Sequence, residues 1–127
     1  MARALGIGGV FFKSDDPQRL TEWYATHLGM QIEDFGGVRF DPHALPVETH
    51  TVWSPFKATT EYFRPSTREF MLNLVVDDVD MALLQVAAGG GKVVGNVEQY
   101  NYARFGWFID PDGNKIELWQ PAPTKNA

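Results

Sequence analysis

Val10-Phe11-Phe12-Lys13-Ser14-Asp15-Asp16 and, 62 residues later (72 − 10), Leu72-Asn73-Leu74-Val75-Val76-Asp77-Asp78 carry one pattern twice. In each, an apolar-rich segment runs into an Asp-Asp pair. That is how a half-buried strand feeding a helix is written, because an aspartate oxygen can accept from the free N–H groups of a first helical turn. After Asp16, Pro17 takes the first helical position, Leu20, Trp23, Tyr24 and Leu28 recur at helical spacing, and Gly29 offers a stop. After Asp78, Met81, Leu84 and Ala88 share one predicted face, and the glycines at 89, 90 and 91 end the helix. The far ends of the two halves also match. Thr51-Val52-Trp53-Ser54-Pro55 aligns with Glu117-Leu118-Trp119-Gln120-Pro121 at an offset of 66 (117 − 51), so loop length accounts for the difference between the two offsets.

The repeat predicts one domain over residues 1–127, built from a first module at about 5–56, a connector at 57–67 and a second module at about 68–121. The connector is polar and contains Pro65 and Ser66. Each module is expected to be α+β, a strand and a helix followed by three strands (βαβββ). In the first, the apolar run Ala4–Phe12 is the expected buried strand, and Gln31–Phe40 and Glu48–Phe56 are the later candidates, on either side of Asp41-Pro42-His43. In the second, Lys92–Val97, Ala103–Asp110 and Lys115–Gln120 are better defined. The last two flank Asp110-Pro111-Asp112-Gly113-Asn114, where proline pre-sets one turn angle and glycine tolerates positive φ, a hairpin signal.

Composition narrows the function classes. The chain has 127 residues, 44% hydrophobic and 21% charged, enough to bury a core without staples. It has no cysteine, which excludes disulfides, thiolate metal sites and a cysteine nucleophile. A net charge of −5 gives no electrostatic reason to expect nucleic acid or an anionic membrane as a partner. The run Ala4–Phe12 is too short for a signal peptide and lacks a small-residue cleavage pattern, and no other run nears membrane-spanning length, so the expected location is cytoplasmic.

Trp23-Tyr24, the Leu28-Gly29 helix end and the closing Asp110–Leu118 segment, in register with the repeat, resemble the glyoxalase/bleomycin-resistance/extradiol-dioxygenase (vicinal oxygen chelate) superfamily over about residues 5–121. The resemblance implies two βαβββ modules whose curved sheets enclose a cleft, commonly in a homodimer. Many relatives hold a divalent metal in the cleft, while others, bleomycin-resistance proteins among them, bind a ligand without metal chemistry. It also implies four ligand positions, one on the first and one on the last strand of each module: Gly9, Thr51, Met71 and Glu117. Glycine has no side chain, methionine offers a soft thioether and threonine is a poor ligand, so only Glu117 fits. His27 suits a helix end, His43 lies in a loop and strand alternation turns His50 away from the Thr51 face; a register error of one residue is the route by which a histidine would restore a site. The expectation is no metal and no cofactor.

Alternation also fills the cleft. If Glu117 faces inward, so do Lys115 and Trp119, while Ile116 and Leu118 face the helices. Phe11, Met71, Asn73 and Val75 follow on the first strands, with Thr51 and Trp53 from the first module. Such an aromatic pocket with one carboxylate suits a small, partly planar organic ligand carrying a cationic or hydrogen-bonding group. The alternatives are that these residues fill a core and that Glu117 pairs with Lys115 or Arg104. Tyr100–Trp107 interleaves aromatics with Arg104; Arg104 and Phe105 must point to opposite faces, and Trp107 is a further ligand-contact candidate. Three functions stay open: a metal-free small-molecule-binding protein; a lyase or isomerase with Glu117 as catalytic general base; and a metal-dependent lyase or dioxygenase with displaced ligands.

Overall fold

The computed structural model describes residues 1–5, 7–46 and 49–122. Helix α1 spans Pro17–Leu28 and a single 3-10 turn spans Pro42–Ala44. Strand β1 (Leu72–Val75), helix α2 (Val79–Ala88) and strands β2 (Lys92–Gln99), β3 (Ala103–Ile109) and β4 (Lys115–Pro121) follow.

Both helices start and stop where their sequences dictate. Asp16 and Asp78 are the N-caps, their carboxylates accepting from the N–H groups of Arg19 at 3.2 Å and Met81 at 3.0 Å. Gly29 closes α1 in the left-handed conformation, at φ 68°. A further backbone donor of α2, Val79 N–H, is satisfied by the Gln120 side chain of β4 at 2.9 Å, which docks the helix onto the sheet.

The sheet is mixed, in the order β1-β4-β3-β2, with β1 parallel to β4 and the other pairs antiparallel. Period-two alternation gives it two faces. Arg104, Gly106, Phe108, Ile116, Leu118 and Gln120 look toward the helices; Phe105, Trp107, Lys115, Glu117 and Trp119 look the other way. Phe108, Ile116 and Leu118 are at most 1% exposed and pack with Val79, Ala82, Leu83 and Val86 of α2 and Leu20 and Tyr24 of α1. Each buried aliphatic or aromatic side chain of this kind contributes about 1.5–3 kcal/mol of burial free energy. Gly106 lets α2 come close: a Cβ there would lie 2.8 Å from Leu83 Cδ1 and 3.0 Å from Val79 Cγ1. The β2–β3 register shifts between Val94 and Glu98, around Gly95 at φ 67°, a bulge that glycine makes without strain.

The Asp110–Asn114 turn joins the two halves of the chain. Asp110, 5% exposed, accepts from the N–H groups of Asp112 (3.0 Å) and Asn114 (2.9 Å), from the Asn114 amide (3.0 Å) and from the Tyr24 hydroxyl of α1 (2.8 Å). Burial, and then the neighbouring Asp110 charge, push the Tyr24 phenol far above its usual range. Ser14 donates to the Asp112 carboxylate, Ser66 to the Gly113 carbonyl and Arg68 to the Asp112 carbonyl.

Two expectations are corrected. The first half supplies α1 but no regular strand among its described residues, only the isolated bridge Ile32–Val38. The described residues of Ala4–Phe12, which leave out Gly6, are exposed rather than a buried strand, with Phe11 96% exposed, and of the 48–56 candidate Glu48 lies outside the described residues. Gly8-Gly9, Gly36-Gly37 and Pro55 interrupt these segments and raise the cost of ordering them as paired strands. Among its described residues the first half thus adds no strand to this four-stranded sheet, whose far face is open. In α2 the buried residues are Val79, Ala82, Leu83 and Val86, while Met81 and Leu84 are 51% and 65% exposed. The two possible apolar stripes overlap in an almost wholly apolar helix, and docking onto β3 decides between them.

Candidate functional site

On the open face, cross-strand pairing sets side chains in rows. One row runs Asn73, Glu117, Trp107, Val94 across β1, β4, β3 and β2; the next runs Val75, Trp119, Phe105, Glu98. Glu117 is the centre of the first. Its Oε1 accepts from the Asn73 amide at 2.7 Å, and its Oε2 accepts from the Trp107 indole at 2.9 Å and the Tyr62 hydroxyl at 2.5 Å. Three neutral donors thus hold one carboxylate, and Oε1 keeps an acceptor site.

Tyr62 comes from the connector, which crosses this face. Its ring meets Trp107 edge-on at 6.5 Å and stacks with Phe56 at 5.8 Å. Burial first, then donation to Glu117, pushes its phenol well above the usual range. Lys115, only 7% exposed, donates from Nζ to the Tyr62 carbonyl at 2.6 Å and lies 5.0 Å from the Tyr62 ring centre and 6.0 Å from that of Trp107. Desolvation lowers the Lys115 pKa, against which the Glu117 charge acts. Lys115 and Glu117 thus clamp Tyr62 by its backbone and its hydroxyl.

Asn73, Lys115, Glu117 and Trp119 come together as their alternation predicts, and Trp107, whose face alternation alone does not assign, joins them. Arg104 does not join them. It lies on the helix side, paired with Asp80 of α2 at 2.7 Å and donating to Gln99, because the pairing Phe105–Trp119 turns Phe105 to the open face. Phe11 and Trp53, 96% and 78% exposed, have no hydrogen bond or ring contact with the cluster among the described residues, and Thr51 is likewise exposed. Met71 is half-buried, just before β1. His50, expected to turn away, brings its ring within 5.5 Å of Trp119, since alternation has no force where no strand forms. Tyr62 went unpredicted: it has no periodic context, and its aromatic neighbour Phe63 inside a polar connector is the only sign that the segment packs on something. Two shallow grooves of about 510 and 470 Å³ border α1, and neither includes Glu117.

The surroundings of Glu117 do not fit a divalent cation. Indole and amide N–H groups face its oxygens where a metal would require lone pairs. Among the described residues no group of three or more His, Asp or Glu side chains is placed to hold a metal ion.

Comparison with known proteins agrees with this architecture. The family described as "Glyoxalase-like domain" matches residues 9–119. The chain belongs to the glyoxalase-like domain family. A protein of unknown function from Agrobacterium tumefaciens is similar at 27% identity and TM-score 0.54, covering 92% of this chain and 98% of its own. TnmS3, an antibiotic binding protein from Streptomyces, is similar at 23% identity and TM-score 0.51, covering 86% and 89%; at that identity the likeness is one of fold. The chain spans about half the length of two other solved structures that it matches, a hypothetical protein from S. aureus (45%) and a glyoxalase family protein from Bacillus cereus (50%). No curated protein matches its sequence. Among the described residues no helix is long and apolar enough to cross a membrane.

Proposed function

We propose that this glyoxalase-like chain is a metal-free binding protein for a small, partly planar organic molecule, held on the open sheet face with Glu117 as polar anchor. The observation that carries the reading is the set of three neutral donors on Glu117: they hold a carboxylate among aromatics without neutralising it, which favours a ligand bearing a cationic or donor group. Trp107, Trp119 and Phe105 supply the aromatic floor beside it. The same fold in an antibiotic binding protein is compatible with such a role. Catalysis with Glu117 as general base is the second reading: Oε1, which carries one donor, keeps an acceptor site that a substrate proton could use.

The two-module arrangement and the homodimer belong to this proposal. Exposed Phe11, Phe40, Val52 and Trp53 in the first half favour a state in which a partner covers them. A cytoplasmic location is the setting in which we place the protein. The test is elemental analysis of the purified protein with mass spectrometry of any co-purified small molecule. The reading requires less than about one-tenth of a divalent ion per chain; a stoichiometric ion lost in Glu117→Ala would overturn it.

A further inference from the structure

The second row of the open face holds a second carboxylate that accepts from a tyrosine hydroxyl. Glu98 on β2 pairs with Phe105, which pairs with Trp119, so Glu98 shares the face of Glu117. Its carboxylate accepts from the Tyr100 hydroxyl at 2.6 Å, as that of Glu117 accepts from Tyr62. Tyr100 stacks on Tyr102 at 5.5 Å and 17°, and both meet Phe105 edge-on, at 6.0 and 6.4 Å. Trp119 and Phe105 lie between the two carboxylates.

Resting on the binding reading above, we infer that the ligand class is a flat aromatic body with two cationic groups, one for Glu117 and one for Glu98. Glu98 is two strands and one two-residue step from Glu117, a separation of about 12 Å between backbone positions at ordinary sheet spacings. Apart from these carboxylates the floor between them is aromatic, and neither carboxylate has an ion-pair partner among the described residues. The complementary molecule therefore has positive charge at its two ends and π-surface in the middle. Glu98 is the specificity-determining residue in this arrangement, because Glu117 alone does not distinguish one cationic group from two.

The probe is a diamidino-phenylindole dye, a planar bis-amidine, compared with the mono-amidine of the same ring system by dye fluorescence at low salt. The expected result is that the bis-amidine binds at least about tenfold more tightly than the mono-amidine. Glu98→Gln and Glu117→Gln should each weaken the bis-amidine about tenfold, and the double variant about a hundredfold, since the two positions are far enough apart to act independently. Circular dichroism melts establish that each variant is folded, and Glu98→Asp, which keeps the charge, should retain part of the affinity. Equal binding of the two dyes, with Glu98→Gln without effect and Glu117→Gln still weakening both, would overturn this inference and leave the single-anchor reading intact. Loss of the Glu117 effect as well would overturn both.

Discussion

Replacing Tyr24 by phenylalanine removes one hydroxyl and nothing else from the junction between α1 and the β3–β4 turn. The ring contacts with Trp23 (5.0 Å) and Phe108 (6.5 Å) persist, so the change isolates the 2.8 Å bond to Asp110. A hydrogen bond to a charged acceptor contributes about 1.5–3 kcal/mol. Asp110 retains three other donors, which places the expected loss at about 1.5–2 kcal/mol. For a chain of this size that lowers Tm by about 5–8 °C. The assay is a thermal melt followed by circular dichroism, repeated in an Asp110→Asn background, where the tyrosine substitution should cost markedly less. The pH dependence follows from the raised phenol pKa. A group whose folded pKa lies above its unfolded value contributes stability that is complete below the unfolded value, about 10, and lost as the pH climbs toward the folded one. The wild type should therefore lose stability above about pH 10 through this residue, and Tyr24→Phe should lack that part of the loss. A Tm unchanged within about 1 °C near neutral pH would refute the claim that this bond ties the halves together.

Two other predictions concern packing. Gly106→Ala places a Cβ 2.8 Å from Leu83 Cδ1 and 3.0 Å from Val79 Cγ1, so α2 must shift, at a cost of about 1–3 kcal/mol in chemical denaturation; an unchanged midpoint would contradict the close approach. Light scattering at micromolar concentration should give the mass of two chains, since the exposed aromatic residues of the first half call for cover; a mass of one chain would reject the dimer.

The second half was legible in the sequence because its signals are local. Asp78 before an apolar helix, the Asp110–Asn114 turn and strict alternation in Lys115–Leu118 each act over a few residues, and the structure places them together. Lys115, Glu117 and Trp119 follow from that alternation, and Asn73 from alternation counted from Met71; Trp107 needs the β3 register, which alternation within one strand does not supply. The first half was read by analogy with the second, and analogy does not supply backbone partners. Its glycines and Pro55 break the segments that the repeat marked as strands, and with them the phase that placed Phe11, Thr51 and Trp53 on the site. For Arg104 and Phe105 alternation says only that they take opposite faces, and the register decides which of them faces the site. Tyr62 reaches Glu117 from 55 residues away through an irregular connector, and no periodicity reports such a contact.

The measurement that bears most directly on the central claim is a titration of metal-stripped protein with the mono-amidine phenylindole dye, wild type beside Glu117→Gln. The account predicts saturable binding in the presence of a chelator, unchanged by added zinc and weakened about tenfold in the variant, because one charge-assisted hydrogen bond is lost. Binding that appears only when a divalent ion is supplied, or that is the same in both proteins, would contradict a metal-free site anchored on Glu117.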